Sequence, residues 1–174
     1  MPPHQSRSLI VMRHAKAEPF AAEDELRKLT PVGAAAAAGA GEWLRARGLV
    51  PDHAWVSAAT RTRETWAAVE GQLASGIEPQ VDPSLYGAGP ESLVDLLGLT
   101  PAEAMTTIVV GHNPTVAYLS HLLDDGHPDP EAWQRVSAGF PTAALAVFDV
   151  PVEWADLTLG SAHLRAFHVG GHGD

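Results

Sequence analysis

Two arginines and two histidines stand just after apolar segments, at three places far apart in the chain. Arg13 and His14 follow one apolar segment, Arg61 lies shortly after a second, and His112 with Asn113 follows a third. Guanidinium groups present paired N–H donors to phosphate oxygens, and a neutral imidazole can act as a nucleophile. If the fold brings these residues together, they would form a phosphoryl-binding pocket that contains a nucleophile.

The segments that must position these residues alternate between strand-like and helix-like patterns. The predicted strands are 9–12, 53–58, 108–110, 143–150 and 162–169, with a short extended segment at 78–83. The predicted helices are 31–47, 60–76, a short helix opened by Pro90 and a helix with Pro114 at its first position; the proposed N-caps are Thr30, Thr60 and Asn113. This alternation predicts an α/β fold, a three-layer sandwich with a mostly parallel central sheet flanked by helices.

The position of the polar residues within such a fold favours one shared site. Ligands of open α/β sheets lie at the carboxyl ends of the strands, where Arg13, Arg61 and His112 are all expected. Helix N-termini near two of these strand ends would add backbone N–H groups suited to an anion. The polar loop 13–29 follows the first strand and is a candidate lid over the site.

Each of these elements also has a structural explanation without function. An Arg-His pair after a strand is more often ordinary surface chemistry, and Gly-His-Asn-Pro can be only a turn before a helix. Arg61 and Arg63 in a first helical turn oppose the helix dipole, which favours an anionic ligand there. The conjunction at three consecutive strand ends carries the prediction, because three independent coincidences are much less frequent than one.

Composition predicts one globular domain over residues 1–174, with residues 1–8 as a loose terminus. The chain has 174 residues, of which 45% are hydrophobic, enough to bury a core. No apolar stretch approaches the roughly 18 residues of a membrane span, and the N-terminus lacks the apolar region of a secretory signal. We therefore expect a cytoplasmic protein without a membrane partner.

Net charge and cysteine content argue against nucleic-acid binding and against sites that need cysteine. A net charge of −10 argues against nucleic-acid binding, because a polyanion would be repelled. The absence of cysteine excludes disulfides, thiolate metal sites and cysteine nucleophiles. The other histidines show no partner at metal-ligand spacing, so we expect neither a metal nor a cofactor; they are His4, His53, His121, His127, His163, His168 and His172.

The motifs "LIVMRHAKAE", "DELRKLTPVG", "VSAATRTRET" and "VVGHNP", in this order over roughly residues 9–120, resemble the histidine phosphatase superfamily, which has the phosphoglycerate mutase-like fold. Within it they are most similar to the small SixA-like phosphohistidine phosphatases. The resemblance implies that His14 is the nucleophile, that Arg13 and Arg61 hold the phosphoryl group, and that His112 is the second histidine of the pocket. Asn113 is a further candidate substrate-binding residue.

Two positions depart from the pattern of the superfamily. Ala15 stands where many members have glycine, and Lys28 stands where proline is expected. Alanine at the first position is a familiar variant of the small SixA-like subgroup.

The mechanism that these residues permit is covalent and needs no metal. A neutral His14 attacks phosphorus only if its other ring nitrogen keeps the proton, so we expect a backbone carbonyl or a loop group to hold that tautomer. Arg13, Arg61 and a protonated His112 would stabilise the charge of the transferring group. Water would then hydrolyse the phosphohistidine intermediate.

The general acid is not settled by the sequence. Glu18, Asp24 and Glu91 are candidates, and for each of them a solvated surface carboxylate is the commoner explanation. A phosphate ester releases an alkoxide that needs a proton, whereas phosphohistidine releases an imidazole with a pKa of about 6.5. A weak acid is therefore tolerable for phosphohistidine, and the short segment of about twenty residues before the strand at 108–110 suggests an open site suited to a protein substrate.

Two other functions stay open. A small-molecule phosphomonoesterase of the same superfamily would use Glu91 or Asp24 as a true acid. A non-catalytic module would keep the pocket and bind phosphate or phosphohistidine without turnover. The partner is thus a protein phosphohistidine or a small phosphorylated substrate, and the sequence does not decide the oligomeric state.

Overall fold

A six-stranded mixed sheet forms the centre of the computed structural model, which describes residues 5–171. Its strands are β1 (Arg7–Arg13), β2 (His53–Ser57), β3 (Gln80–Asp82), β4 (Thr106–Gly111), β5 (Ala144–Val150) and β6 (His163–Val169). His4, His172 and the first half of the predicted loose terminus lie outside the described residues. The prediction of a loose terminus was wrong for Arg7 and Ser8, because both residues belong to β1.

Helices connect most of the strands. They are α1 (Pro31–Ala46), α2 (Thr60–Leu73), α3 (Pro90–Leu97), α4 (Thr115–Leu122) and α5 (Pro130–Ala138), with short 3₁₀ turns at Asp24–Leu26, Pro83–Tyr86 and Trp154–Asp156. Within residues 5–171, no helix has the length and apolar character needed to span a bilayer.

The strand order in the sheet is β3-β2-β4-β1-β5-β6. The first four strands in this order are mutually parallel, whereas β5 runs antiparallel to both β1 and β6. Five strands therefore share one direction, which confirms the predicted mostly parallel sheet. Parallel strands require crossover connections, and α1, α2 and α3 supply them.

The core consists of two apolar layers on opposite faces of the sheet. Ile10 and Met12 of β1 face the layer that contains residues of α1 and α2, whereas Leu9 and Val11 face the layer with residues of α3, α4 and α5. This alternation follows from the two-residue period of a strand. It confirms a three-layer sandwich and explains why the segment before Arg13 is apolar without interruption.

The boundaries of α1 follow the sequence signals. The side chain of Thr30 accepts a hydrogen bond from the Gly33 N–H at 2.9 Å, and Pro31 is the first helical residue. Gly48, just beyond the helix, has a φ of 68°, a left-handed conformation that favours glycine. Both predicted ends of the helix are confirmed.

Two other predicted caps were wrong. The N-cap of α2 is Ala59, and Thr60 is the first residue of the helix. The N-cap of α4 is Pro114 rather than Asn113, because the Asn113 side chain donates a hydrogen bond to a distant carbonyl instead of accepting one from the helix.

One helix is shorter than the sequence predicted, and another helix was not predicted. α2 ends at Leu73 rather than at residue 76, because Ala74 adopts a left-handed conformation with φ of 52°. α5 was not predicted, although the Asp129 side chain caps it and Pro130 opens it. The Asp-Pro pair is the signal that could have found it.

Candidate active site

The carboxyl ends of three neighbouring strands form the floor of the candidate site. β2, β4 and β1 lie side by side and parallel, and Arg13 at the end of β1 pairs with Gly111 at the end of β4. The His14 N–H continues this pairing by donating to the Gly111 carbonyl at 3.0 Å. Ser57 is the last residue of β2. The strand ends that the sequence singled out therefore meet.

The buried imidazole of His14 is held by the backbone. Its Nδ1 lies 2.7 Å from the carbonyl oxygen of Ala15, and the residue is 8% exposed. Burial, together with the positive charges of Arg61, Arg13 and Arg27, lowers the pKa of His14 to about 4 despite the raising effect of the Ala15 carbonyl. At neutral pH His14 is therefore uncharged. Because a carbonyl only accepts, Nδ1 carries the proton and Nε2 presents a lone pair.

His112 lies beside His14, with the two ring centroids 5.4 Å apart. Its Nε2 is 2.7 Å from the hydroxyl oxygen of Ser57, a residue with no exposed surface. Burial, followed by the charges of Arg61 and His14, lowers the pKa of His112 to about 3. In this structure His112 is thus neutral at pH 7, contrary to the expectation of a protonated imidazole.

The first turn of α2 places Arg61 next to His14. The Thr65 hydroxyl donates to the Arg61 carbonyl at 2.6 Å and accepts from the Ala15 N–H at 3.0 Å. The Thr62 hydroxyl ties the same turn to the carbonyl of Ser57 at 2.7 Å. Through these two hydroxyls, the ends of β1 and β2 are joined to the helix that carries Arg61.

The guanidinium of Arg61 contacts the loop above it, and the residue is only 5% exposed. Its Nη1 donates to the main-chain oxygen of Asp24 at 2.9 Å, and its Nη2 donates to the Asp24 carboxylate at 3.1 Å. The Tyr86 hydroxyl donates to the same carboxylate oxygen. The Tyr86 ring also packs edge-on against His112, with centroids 5.2 Å apart.

Arg13 and Asn113 converge on one carbonyl. The Phe140 oxygen accepts from Arg13 Nη1 at 3.1 Å and from Asn113 Nδ2 at 2.8 Å. The segment that supplies this carbonyl precedes β5, and its Ala143 N–H donates to the His14 carbonyl at 3.0 Å. The carbonyl holds both side chains at the strand ends.

Four buried polar atoms of this site lack a hydrogen-bond partner within the described part of the chain. They are Arg13 Nε, Arg61 Nε, His112 Nδ1 and Asn113 Oδ1. Buried polar groups are normally paired, so unpaired ones clustered at strand ends favour a ligand that would satisfy them. Two of the four are guanidinium donors, which suit an oxyanion.

The structure separates the three candidate acids. Asp24 contacts Arg61, and the hydrogen bond from Tyr86, followed by Arg61 and Arg27, lowers the pKa of Asp24 to about 2 despite the opposing effect of burial. Glu18 and Glu91 are exposed, and within residues 5–171 no hydrogen bond or ion pair joins either carboxylate to the pocket residues. Of the three, Asp24 alone is therefore in the pocket, and it is ionised at neutral pH.

Sequence reasoning missed three residues that shape the site. Tyr86 contacts both Asp24 and His112, Phe140 supplies the shared carbonyl, and Thr65 links Ala15 to α2. The signal for Tyr86 was a lone aromatic residue in a Gly-rich and Pro-rich turn. Phe140 left no signal, because a main-chain carbonyl has no sequence signature.

One group of side chains with metal-ligand chemistry lies outside the pocket. Ligand atoms of Asp124, Asp125 and His163 come within 4.8 Å of one another, the only such group of three among the described residues. The Asp124 carboxylate already accepts from the backbone N–H groups of Leu164 and Gly126. None of these residues contacts the candidate active site.

Comparison with known proteins places the chain in a family. The family model of the histidine phosphatase superfamily (branch 1) matches residues 9–108. An uncharacterized protein of Mycobacterium tuberculosis is 38% identical over 162 residues, which cover 91% of this chain and 99% of that protein. The chain belongs to the histidine phosphatase superfamily.

Solved structures show which members of the superfamily the chain is similar to. The putative phosphohistidine phosphatase SixA from Nakamurella multipartitia is 33% identical, with a TM-score of 0.85 over 96% of this chain and 98% of that one. The protein histidine phosphatase SixA complexed with tungstate is 26% identical, with a TM-score of 0.75 over 93% and 96% of the two chains. Within the superfamily the chain is SixA-like, and its fold is phosphoglycerate mutase-like.

Proposed function

We propose that this phosphatase removes the phosphoryl group from a protein phosphohistidine, with His14 as the nucleophile. The observation that carries the proposal is the contact between His14 Nδ1 and the Ala15 carbonyl, in an arginine-lined pocket where the one candidate acid, Asp24, is ionised. The first part supports a histidine nucleophile. The second part supports a substrate that needs little acid catalysis.

The reaction begins with attack by the His14 Nε2 lone pair on phosphorus. An N–P bond forms to His14 while the N–P bond of the substrate breaks, and the substrate imidazole departs. Water then attacks phosphorus, the bond to His14 breaks, and inorganic phosphate leaves while the proton of water goes to solvent. His14 returns to its neutral form, held by Ala15.

The arginines have the place and the chemistry to hold the transferring group. Arg13 and Arg61 flank His14 closely enough for their charges to lower its pKa. Phosphoryl transfer depends mainly on positioning and on stabilisation of the charge on the equatorial oxygens. Tungstate, which the related SixA structure contains, is also a tetrahedral oxyanion. We assign Arg13, Arg61, His112 and Asn113 to binding of the phosphoryl group.

A dianionic phosphoryl group would change the protonation of His112. The pKa of about 3 reflects burial and neighbouring positive charge, and a bound dianion opposes both effects. His112 is then charged only with substrate in place, where its charge helps to hold the phosphoryl group. The sequence had led us to expect a protonated His112, and in the absence of substrate the ring is neutral.

The ionised state of Asp24 supports a substrate whose leaving group needs no proton from a carboxylic acid. Asp24, with its pKa near 2, holds no proton to donate at neutral pH. The distal nitrogen of a phosphohistidine takes up a proton from solvent near neutral pH, so neutral imidazole can leave without an enzymatic acid. An alkyl phosphate would release an alkoxide, which is a far poorer leaving group.

The test compares phosphate release from a phosphohistidine-bearing carrier protein and from p-nitrophenyl phosphate, with wild type and His14→Ala. We expect the carrier to be dephosphorylated with a kcat/KM at least about 100-fold above that of the ester, because the ester lacks the contacts that a protein substrate makes beyond its phosphoryl group. His14→Ala should abolish both reactions.

Other results would assign a different function. Efficient ester turnover that depends on His14 would favour the small-molecule phosphomonoesterase. Binding of phosphohistidine without release would favour the non-catalytic module. His121→Ala is the matched control, because this histidine lies on α4 and its Nδ1 bonds to the helix carbonyl of Ala117.

A further inference from the structure

The Asp24 side chain lies where a phosphoryl group must bind if the proposed function is correct. Both terminal nitrogens of Arg61 are engaged by Asp24, one by its main-chain oxygen at 2.9 Å and one by its carboxylate at 3.1 Å. A carboxylate is a planar oxyanion that accepts the same paired donors as phosphate. Asp24 therefore uses the donors that the substrate needs.

The contacts of Asp24 are strong because they are charged and partly shielded. Arg61 is nearly buried, so its attraction for an anion is little screened by solvent. One carboxylate oxygen of Asp24 accepts from Arg27 Nε at 2.9 Å, and Tyr86 donates to the other. Three side chains thus hold one carboxylate over the pocket.

The loop that carries Asp24 is fixed at its base and exposed at its tip. At the base, the Glu18 N–H donates to the Lys28 carbonyl at 2.7 Å, and Ala17 forms a bridge with Leu29. Every residue from 19 to 26 is exposed. Displacement of the tip would therefore leave the paired base of the loop and the sheet intact.

We propose that Asp24 is a built-in competitor for Arg61, which a phosphorylated ligand must displace in order to bind. Displacement has an energetic cost, which a protein substrate offsets by contacts beyond its phosphoryl group. Inorganic phosphate and small esters lack such contacts, so they bind weakly while Asp24 engages Arg61. The proposal rests on the proposed function for its substrate class, but the competition itself is a property of phosphate binding.

The first test measures the Kd of inorganic phosphate by isothermal titration calorimetry at pH 7. Asp24→Asn keeps the size of the side chain and removes its charge, so we expect phosphate to bind about tenfold more tightly or better. Tyr86→Phe removes one of the donors to the carboxylate and should shift affinity in the same direction, by less. Equal or weaker phosphate binding by Asp24→Asn would overturn the proposal.

Glu23→Gln is the matched control. Glu23 precedes Asp24 in the same exposed loop, and within residues 5–171 its carboxylate makes no hydrogen bond or ion pair. The substitution changes the net charge by the same amount, so it measures the long-range effect of charge alone. We expect its Kd to stay within about twofold of wild type, and a tenfold gain here too would overturn a specific role for Asp24.

The second test separates this inference from the proposed function. If both hold, wild type dephosphorylates the phosphohistidine carrier, and Asp24→Asn raises kcat/KM for p-nitrophenyl phosphate by about tenfold. If wild type does not dephosphorylate the carrier but Asp24→Asn still binds phosphate more tightly, the substrate assignment fails and the competition stands. If wild type is active on the carrier but the phosphate Kd of Asp24→Asn is unchanged, the competition fails and the substrate assignment stands.

Discussion

His14 Nδ1 lies 2.7 Å from the carbonyl oxygen of the next residue, Ala15, so the backbone selects the tautomer of the imidazole. Ala15 is also anchored through its N–H, which donates to the Thr65 hydroxyl at 3.0 Å. A neutral ring with its lone pair on Nε2 is thus present before any substrate arrives. Such preorganisation lowers the reorganisation needed in the transition state.

The first prediction concerns this tautomer. In ¹⁵N NMR spectra of the imidazole side chains at pH 7, His14 should show a protonated Nδ1 and an unprotonated Nε2. Titration towards acid should protonate His14 only near pH 4, well below the ordinary value of 6.5, because the ring is buried among positive charges. A His14 that titrates near the ordinary value of 6.5 would contradict the assignment.

The second prediction is a loss of stability in mild acid. The folded-state pKa values of His14 and His112, about 4 and about 3, lie below the unfolded value of 6.5. Between pH 6.5 and about 4 the unfolded chain therefore binds protons that the folded chain does not. The free energy of unfolding should fall as pH falls through this window, by up to about 1.4 kcal/mol per pH unit for each histidine.

Urea denaturation at pH 7, 6 and 5 measures this slope. His14→Gln and His112→Gln should each make the dependence on pH shallower by the contribution of one proton. Identical slopes in wild type and both variants would mean that these two imidazoles are not the cause. The lowered pKa of Asp24 also makes its contribution to stability fall in acid, but this fall begins only below pH 3.8, outside this window.

The third prediction compares two buried serines. The Ser57 hydroxyl shares a hydrogen bond with His112 Nε2, whereas the Ser120 hydroxyl donates to the Val116 carbonyl within α4. Neither residue is exposed. Ser57→Ala and Ser120→Ala should each lower stability by about 1 kcal/mol, the usual worth of one hydrogen bond.

Only Ser57→Ala should impair catalysis. Loss of the hydroxyl frees the His112 ring, and we expect kcat/KM to fall about tenfold. Steady-state kinetics and urea denaturation of the two variants measure the two effects separately. Equal kinetic effects from both serines would show that the loss follows general destabilisation rather than the position of His112.

The fourth prediction concerns the packing that supports α2. A Cβ atom on Gly41 of α1 would lie 2.6 Å from the Val69 carbonyl of α2, whereas a Cβ on Gly71 meets nothing within 4 Å. Gly41→Ala should destabilise the protein by about 1–3 kcal/mol through this overlap. Gly71→Ala should stabilise it by up to about 1 kcal/mol, since alanine is the better helix former. Stabilisation by both substitutions, measured by urea denaturation, would refute the close contact of α1 and α2.

Much of the fold was predictable because its signals are local. Buried strands have uninterrupted apolar segments, and Thr30, Pro31 and Gly48 mark the two ends of α1 through backbone chemistry alone. The direction of β5 and the existence of α5 were not predicted. The direction of β5 depends on how the last third of the chain pairs with β1, which leaves no period in the sequence. α5 did have a local signal, the Asp129-Pro130 pair, and this signal was missed.

The sequence by itself determined which residues stand at the strand ends: Arg13, His14, Arg61 and His112, together with the family to which the chain belongs. Parallel strands bring their carboxyl ends to one edge, so this grouping followed from topology.

Only the tertiary structure decided which side chains of the pocket are charged. The neutral imidazoles result from burial, and the partner of Arg61 is Asp24, 37 positions away, secured by Tyr86, 62 positions from Asp24. Burial and long-range contacts exist only once the chain has folded. For that reason the sequence could name the three candidate acids, while the fold showed that the one in the pocket is an ionised carboxylate held against Arg61.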